Sequence, residues 1–128
     1  MSKRGNTMRA GNVLLVEDYV EVGDVVAEIL ARNGYAVSKT CDGLSAWEMI
    51  SSQHFDLVIS DLGLPGLDGR ELLKNMRKNS IKTPVLLTSG VRISEKFGCG
   101  DMSSCRLIYK PFEINEIKNA IFDLLNKK

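Results

Sequence analysis

Five short apolar runs, separated by turns and by stripes of apolar residues at helical spacing, set the layout of this 128-residue chain. Val13, Leu14, Leu15 and Val16 form the first, opened by Asn12 and stopped by Glu17-Asp18. Tyr35, Ala36 and Val37 form the second. Phe55 and Leu57-Val58-Ile59 lead to Ser60-Asp61 in the third. Pro84-Val85-Leu86-Leu87 leads to Thr88-Ser89-Gly90 in the fourth, and Leu107-Ile108-Tyr109 leads to Lys110-Pro111 in the fifth. Runs this short, without polar alternation, read as strands buried on both faces, which is the habit of parallel sheet. Parallel neighbours cannot be joined by tight hairpins and need crossover helices.

The intervening stripes supply those helices. Val22, Val25, Val26, Ile29 and Leu30 share one helical face, and Asn33-Gly34 closes that helix. After the Asp42-Gly43 turn, Leu44, Trp47 and Ile50 form a second stripe, with Trp47 assigned to the core. Leu72, Leu73 and Met76 follow the loop Gly63-Leu64-Pro65-Gly66. Ile114, Ile117, Ile121, Leu124 and Leu125 make the last stripe. Between residues 90 and 105, Gly90, Gly98 and Gly100 punctuate a stretch that supports a helix of two turns at most. No internal repeat or linker appears. The alternation predicts an α/β fold: a doubly wound, five-stranded parallel sheet with helices on both faces. Right-handed crossovers at this length favour the flavodoxin-like strand order 2-1-3-4-5.

Composition narrows the class of function. A 44% hydrophobic, 26% charged chain of this length can build one core without metal or disulfide. A net charge of +1 gives no general electrostatic case for direct binding of nucleic acid. The charge is uneven: residues 1–11 carry Lys3, Arg4 and Arg9 and no acid. They are expected to be a basic, flexible N-terminal tail, with one domain spanning 12–128. The tail lacks the apolar core of a secretory signal, and no later stretch approaches the ~18 apolar residues of a membrane span. Cys41, Cys99 and Cys105 fit no zinc spacing. They read as three free thiols in a reducing cytoplasm, with a Cys99–Cys105 redox pair as the alternative. His54, the only histidine, is expected at the surface without a role in metal binding or catalysis.

In such sheets, ligands bind beyond the carboxyl ends of the strands, near the switch in strand order. Strand one delivers Glu17 and Asp18 there, strand three Asp61, strand four Ser89 and strand five Lys110. Three converging carboxylates repel one another unless a cation bridges them. With oxygen donors alone, the fitting ion is Mg²⁺. Three carboxylates, one Mg²⁺ and the Lys110 ammonium balance to neutrality, so the site can admit a phosphoryl anion. Asp61 would then be the nucleophile, with Lys110 and Ser89 meeting the phosphoryl oxygens. Taken singly, each residue has a structural explanation: Asp18 as a helix cap, Lys110 beside a helix C-terminus. All of them at the same end of four strands make a site.

The sequence resembles the receiver domain of two-component response regulators over nearly all of 12–126. The resemblance rests on Leu14-Leu15-Val16-Glu17-Asp18, Asp61-Leu62-Gly63-Leu64-Pro65-Gly66-Leu67-Asp68-Gly69, Pro84-Val85-Leu86-Leu87-Thr88-Ser89-Gly90 and Lys110-Pro111-Phe112. It implies that Asp61 is the phosphoacceptor and Glu17 and Asp18 the acidic pair, with Asp18 the direct Mg²⁺ ligand. It also implies metal binding by the Gly63 backbone carbonyl, Ser89 as the switch hydroxyl, Lys110 as the phosphoryl-binding lysine and a cis Lys110–Pro111 bond. The implied partner is a histidine kinase or a histidine phosphotransfer protein, in a cytoplasmic phosphorelay. The short stretch before strand five and Leu87-Thr88-Ser89-Gly90 resemble receivers of hybrid sensor kinases. The chain is accordingly either a stand-alone receiver or one excised from a larger protein. One departure stands out. The switch aromatic of many receivers lies three residues before the lysine, where this chain has Leu107. Tyr109 is expected on the other face of its strand, which puts an aromatic rotamer switch in doubt.

Three competing functions are weighed against this one. A phosphatase of the haloacid dehalogenase type wants a second Asp two residues after the nucleophile, and position 63 is Gly. A flavin-binding module wants a phosphate-binding loop after strand one, where Glu17-Asp18 would repel a phosphate. A pseudo-receiver would serve as a phosphorylation-independent interaction module, although all five site residues are present.

Overall fold

The computed structural model describes residues 11–126. The chain runs β1 (Gly11–Val16), α1 (Val20–Arg32), β2 (Tyr35–Thr40), α2 (Gly43–Ser52), β3 (Leu57–Asp61), α3 (Gly69–Lys78), β4 (Val85–Ser89), a 3₁₀ turn (Glu95–Phe97), β5 (Cys105–Tyr109) and α4 (Ile114–Leu125). The sheet order is β2-β1-β3-β4-β5, and every neighbouring pair is parallel. This is the expected flavodoxin-like order. The crossover between β4 and β5 holds only the 3₁₀ turn, in keeping with its glycines. The expected basic tail lies outside the described residues except for Gly11. That residue already belongs to β1, in register with Tyr35.

Both faces of the sheet are covered, which is why its central strands show no polar alternation. Val13, Leu15, Leu57, Ile59, Leu86 and Ile108 pack on Val26 and Leu30 of α1 and on Ile117, Ile121 and Leu124 of α4. Leu14, Val16, Val58, Val85 and Leu87 face the other way, onto Ala46 and Ile50 of α2 and Leu72, Leu73 and Met76 of α3. Each strand therefore feeds two half-cores with successive residues. The outer strands extend further than their apolar runs. In β2, Ser38, Lys39 and Thr40 continue the pairing with β1 because an edge strand accepts polar side chains.

The helical stripes are narrower than the sequence suggests. Val25, Leu44 and Ile114 are exposed, although each lies in an apolar stripe. A helix laid on a sheet buries only the arc that touches it, and Val26, Ala46 and Ile117 occupy those arcs. At α2 the close approach belongs to Gly43 instead. A Cβ there would lie 1.7 Å from the backbone oxygen of Leu67, so the helix start abuts the loop after β3 with no room for a side chain. Trp47 packs partly buried against the α2/α3 half-core, as expected.

Helix ends follow the local chemistry. Asp42 accepts from Ser45 N at 2.8 Å. Asp68 and Glu71 form a reciprocal capping box at the start of α3. Asn33 ends α1, and Gly34 follows at φ 91°. His54 is exposed, 3.1 Å from Asp56 Oδ1.

The cysteines correct the sequence reading. Cys99 and Cys105 form a disulfide, with Cα atoms 5.7 Å apart, and Cys41 alone is free. The pair named as the alternative is the one that forms, and three free thiols is the reading that fails. The irregular path of 98–104 folds the chain back onto the start of β5.

Among the described residues, no helix is long and apolar enough to cross a membrane.

Candidate functional site

Because all five strands are parallel, their carboxyl ends share one edge of the sheet. Val16 pairs with Ser60, Asp61 with Thr88, and Ser89 with Tyr109. Glu17, Asp61, Ser89 and Lys110 thus emerge side by side from β1, β3, β4 and β5. Glu17, Asp61 and Ser89 are buried, whereas Asp18 is exposed at the rim. One carboxylate oxygen from each of Glu17, Asp18 and Asp61 lies within 4.8 Å of the others. The three acids predicted from separate parts of the sequence do converge.

Lys110 joins two of them. Its Nζ donates to Glu17 Oε1 at 2.8 Å and to Asp61 Oδ2 at 3.2 Å. Burial works against the ammonium. The hydrogen bonds and charges of Glu17 and Asp61 outweigh it and hold the pKa above the ordinary lysine value. The lysine is therefore charged throughout the physiological range, with Glu17 and Asp61 as its partners. Asp18 does not cap α1 either: the N-cap is Tyr19, and no side chain caps that helix end. The second Glu17 oxygen accepts from Tyr19 N at 3.1 Å. Asp61 Oδ1 accepts from Gly63 N at 3.4 Å. The peptide bond between Lys110 and Pro111 is cis.

Ser89 is engaged with its own turn. Its hydroxyl donates to Val91 O at 2.7 Å and accepts from Val91 N at 3.2 Å. Gly63 faces open space, with nothing within 4 Å of the place a Cβ would take. Gly69, which the sequence reading passed over, is the opposite case. A Cβ there would lie 2.5 Å from the backbone oxygen of Asp61. Its lack of a side chain lets α3 start directly against the end of β3, and the Asp68-Gly69 pair was the available signal.

Tyr109 requires a second correction. Side chains alternate along a strand, so residues 107 and 109 share a face and Ile108 takes the other. Leu107 and Tyr109 line one pocket together with Ile93 and Met102. The Arg92 guanidinium lies 4.4 Å from the Tyr109 ring centre, and the Tyr109 hydroxyl donates to Ile93 O at 3.3 Å. An aromatic ring therefore does stand on the face of β5 that carries Leu107.

Three carboxylates against one ammonium leave two negative charges in excess. No Cys or His takes part in the cluster. An all-oxygen, acid-rich donor set suits a hard divalent cation. Like-charge repulsion also makes a testable cost. In metal-free buffer, Asp61→Asn should raise the thermal midpoint by the equivalent of about 1 kcal/mol, since Lys110 keeps Glu17 as its partner. Saturating Mg²⁺ should narrow the gap. A midpoint that stays level or falls would mean the acids do not repel one another.

A family model described as the response regulator receiver domain matches residues 13–122. The transcriptional regulatory protein TctD of Salmonella typhimurium is 31% identical over 116 residues, covering 90% of this chain and 52% of the relative. The chemotaxis response regulator CheY4 of Vibrio cholerae superimposes with a TM-score of 0.82 at 27% identity, over 93% of this chain and all of that one. The receiver domain of the hybrid histidine kinase CckA gives a TM-score of 0.75 at 30% identity, over 91% of this chain and 100% of that one. The chain spans about half the length of the curated relatives it matches.

Proposed function

The chain belongs to the response regulator receiver domains of two-component signalling, and from that premise we propose that Asp61 is its phosphoacceptor within a functional unit of residues 12–128. One observation carries the assignment: Lys110 bridges Glu17 and Asp61 inside a cluster of three carboxylates at the end of a parallel sheet. An aspartate in that position is nucleophilic, anchored by its backbone and next to a fixed cation.

A carboxylate oxygen of Asp61 attacks the phosphorus of a phosphohistidine, forming the acyl phosphate as the phosphorus–nitrogen bond breaks. Lys110 is already between Glu17 and Asp61. It can turn toward a phosphoryl oxygen while keeping Glu17. Glu17, Asp18, Asp61 and the Gly63 carbonyl would hold Mg²⁺, which supplies positive charge to the phosphoryl oxygens when bound. Ser89 then donates to a phosphoryl oxygen, and to do so it gives up Val91 O. That exchange of partners links chemistry at Asp61 to the chain from 90 to 105. The only catalysis is of the chain's own phosphorylation and its slow reversal.

The donor is a histidine kinase or a histidine phosphotransfer protein, acting in the cytoplasm where ATP-derived phosphoryl groups are made. Apolar side chains beside the site support a protein donor. Tyr19, Val20 and Val25 are exposed, and Val22, Val25, Pro111 and Phe112 line a groove that reaches Lys110. The pseudo-receiver reading has no observation in its favour, and the clustering of Glu17, Asp18 and Asp61 beside Lys110 supports the phosphoacceptor reading instead.

The switching step is tested by amide hydrogen exchange with and without beryllofluoride and Mg²⁺, a phosphoryl mimic. Segment 91–105 should exchange faster than strand residues 57–59 before the mimic is added and should change protection afterwards. Equal protection of the two regions in the unmodified protein would refute the segment's part in the switch.

A further inference from the structure

The disulfide lies where the fold is least regular. Cys105 opens β5, the edge strand, and Cys99 follows the 3₁₀ turn. We propose that Cys99 and Cys105 are a thiol–disulfide exchange site that fastens segment 98–104 to the edge of the sheet when oxidised and loosens it when reduced.

Four observations carry this. Both cysteines are partly exposed, and both border an open pocket of about 560 Å³, wide enough for a small disulfide to approach. Two arginines flank the segment: Arg70 donates to Gly98 O at 2.7 Å and Arg77 to Ser103 O at 2.8 Å. Arg106 at the pocket wall is paired with Asp123 at 2.6 Å, and Asp101 lies in the segment, so Arg70 and Arg77 supply the charge that suits an anionic reactant such as glutathione disulfide. The bond closes a short loop, the kind that gains least in stability from cross-linking. Finally, the arginine bonds to Gly98 and Ser103 do not depend on the sulfurs, so the segment keeps an anchorage when the bond opens. In a reducing compartment, a bond with these properties is expected to be transient rather than permanent.

The exchange runs in two displacements. One cysteine thiolate attacks a sulfur of glutathione disulfide, forms a mixed disulfide and expels one glutathione thiolate. The second cysteine thiolate then attacks the protein sulfur of that mixed disulfide. The Cys99–Cys105 bond forms and the second glutathione thiolate leaves. The protein loses two electrons and two protons, and the reagent is reduced to two thiols.

The consequence falls on the switch segment. β5 grips it at both ends: Cys105 through Cys99, and Tyr109 through Ile93 and Arg92. Opening one grip leaves the other to hold 91–98 against the sheet.

The test uses the whole chain in buffers of varied reduced and oxidised glutathione. Thiols are trapped with a maleimide and located by peptide mass. Cys99 and Cys105 should lose labelling together in one reversible transition and carry no glutathione, whereas Cys41, exposed and free, should lose labelling only by forming a glutathione adduct. Amides of 98–104 should exchange several-fold faster in the reduced form, with 57–61 unchanged. Cys99→Ser should leave Cys105 as a single glutathione adduct under oxidising buffer and show the fast exchange at every ratio. The proposal is overturned by independent titration of the two thiols, by a reaction that stops at glutathione adducts in the parent chain, by a bond that resists fully reduced glutathione, or by amide exchange indifferent to the bond.

Discussion

The Gly63→Asn, Val91→Glu double variant should lose its phosphoryl group about tenfold faster than the parent chain in excess Mg²⁺, a barrier lowered by about 1.4 kcal/mol. Hydrolysis of an acyl phosphate needs a water held in line with phosphorus, opposite Asp61. In receivers that dephosphorylate quickly, polar side chains two residues after the acceptor and two after the switch hydroxyl help to hold it. Here those positions are Gly63 and Val91, and neither side chain can donate or accept a hydrogen bond. The space is available: Gly63 has nothing within 4 Å of its would-be Cβ, and Val91 is 68% exposed. Arg92 on that loop is stacked on Tyr109 rather than free to orient a water. The measurement is decay of the phosphoprotein after removal of the donor. A parent lifetime of seconds, or a double variant no faster than the parent, would show that another group controls the water.

Much of this site could be read from the sequence because of where parallel strands end. Glu17, Asp61, Ser89 and Lys110 each follow an apolar run, and strand order then makes them neighbours without any knowledge of side-chain packing. The fold was legible for a related reason. A strand buried on both faces leaves an unbroken apolar run, and Val13–Val16 or Leu57–Ile59 has no other comfortable place.

What stayed hidden depends on distances between segments that carry no periodic signal. The Cys99–Cys105 pair could be named only as an alternative, because the two meet where 98–104 doubles back, and Gly98 and Gly100 allow many paths. Gly43 and Gly69 matter through backbone contacts with Leu67 and Asp61, whereas Asp42-Gly43 and Asp68-Gly69 mark only a turn and a helix start in the sequence. Val25 and Leu44 count as core by spacing yet point outward, because spacing fixes a face of the helix and not the width of its contact. Tyr109 is a different kind of miss. Its face follows from the two-residue period of a strand, and counting from Leu107 places it correctly.

The central claim is that Asp61 accepts a phosphoryl group within a carboxylate cluster that requires a divalent cation. Removing its carboxylate has the largest effect of any single change, because Asn at 61 has no anionic oxygen to attack phosphorus, although Glu17, Asp18 and Lys110 remain. Glu17 lies buried beneath Lys110 with its second oxygen held by Tyr19 N, and Asp18 stands at the exposed rim, so neither has the environment of Asp61. The direct measurement is intact mass after incubation with acetyl phosphate and Mg²⁺, for the parent chain and for Asp61→Asn. The account predicts one added phosphoryl group on the parent, none in the presence of EDTA and none on Asp61→Asn. Acid-stable labelling that persists in EDTA, or equal labelling of Asp61→Asn, would contradict it.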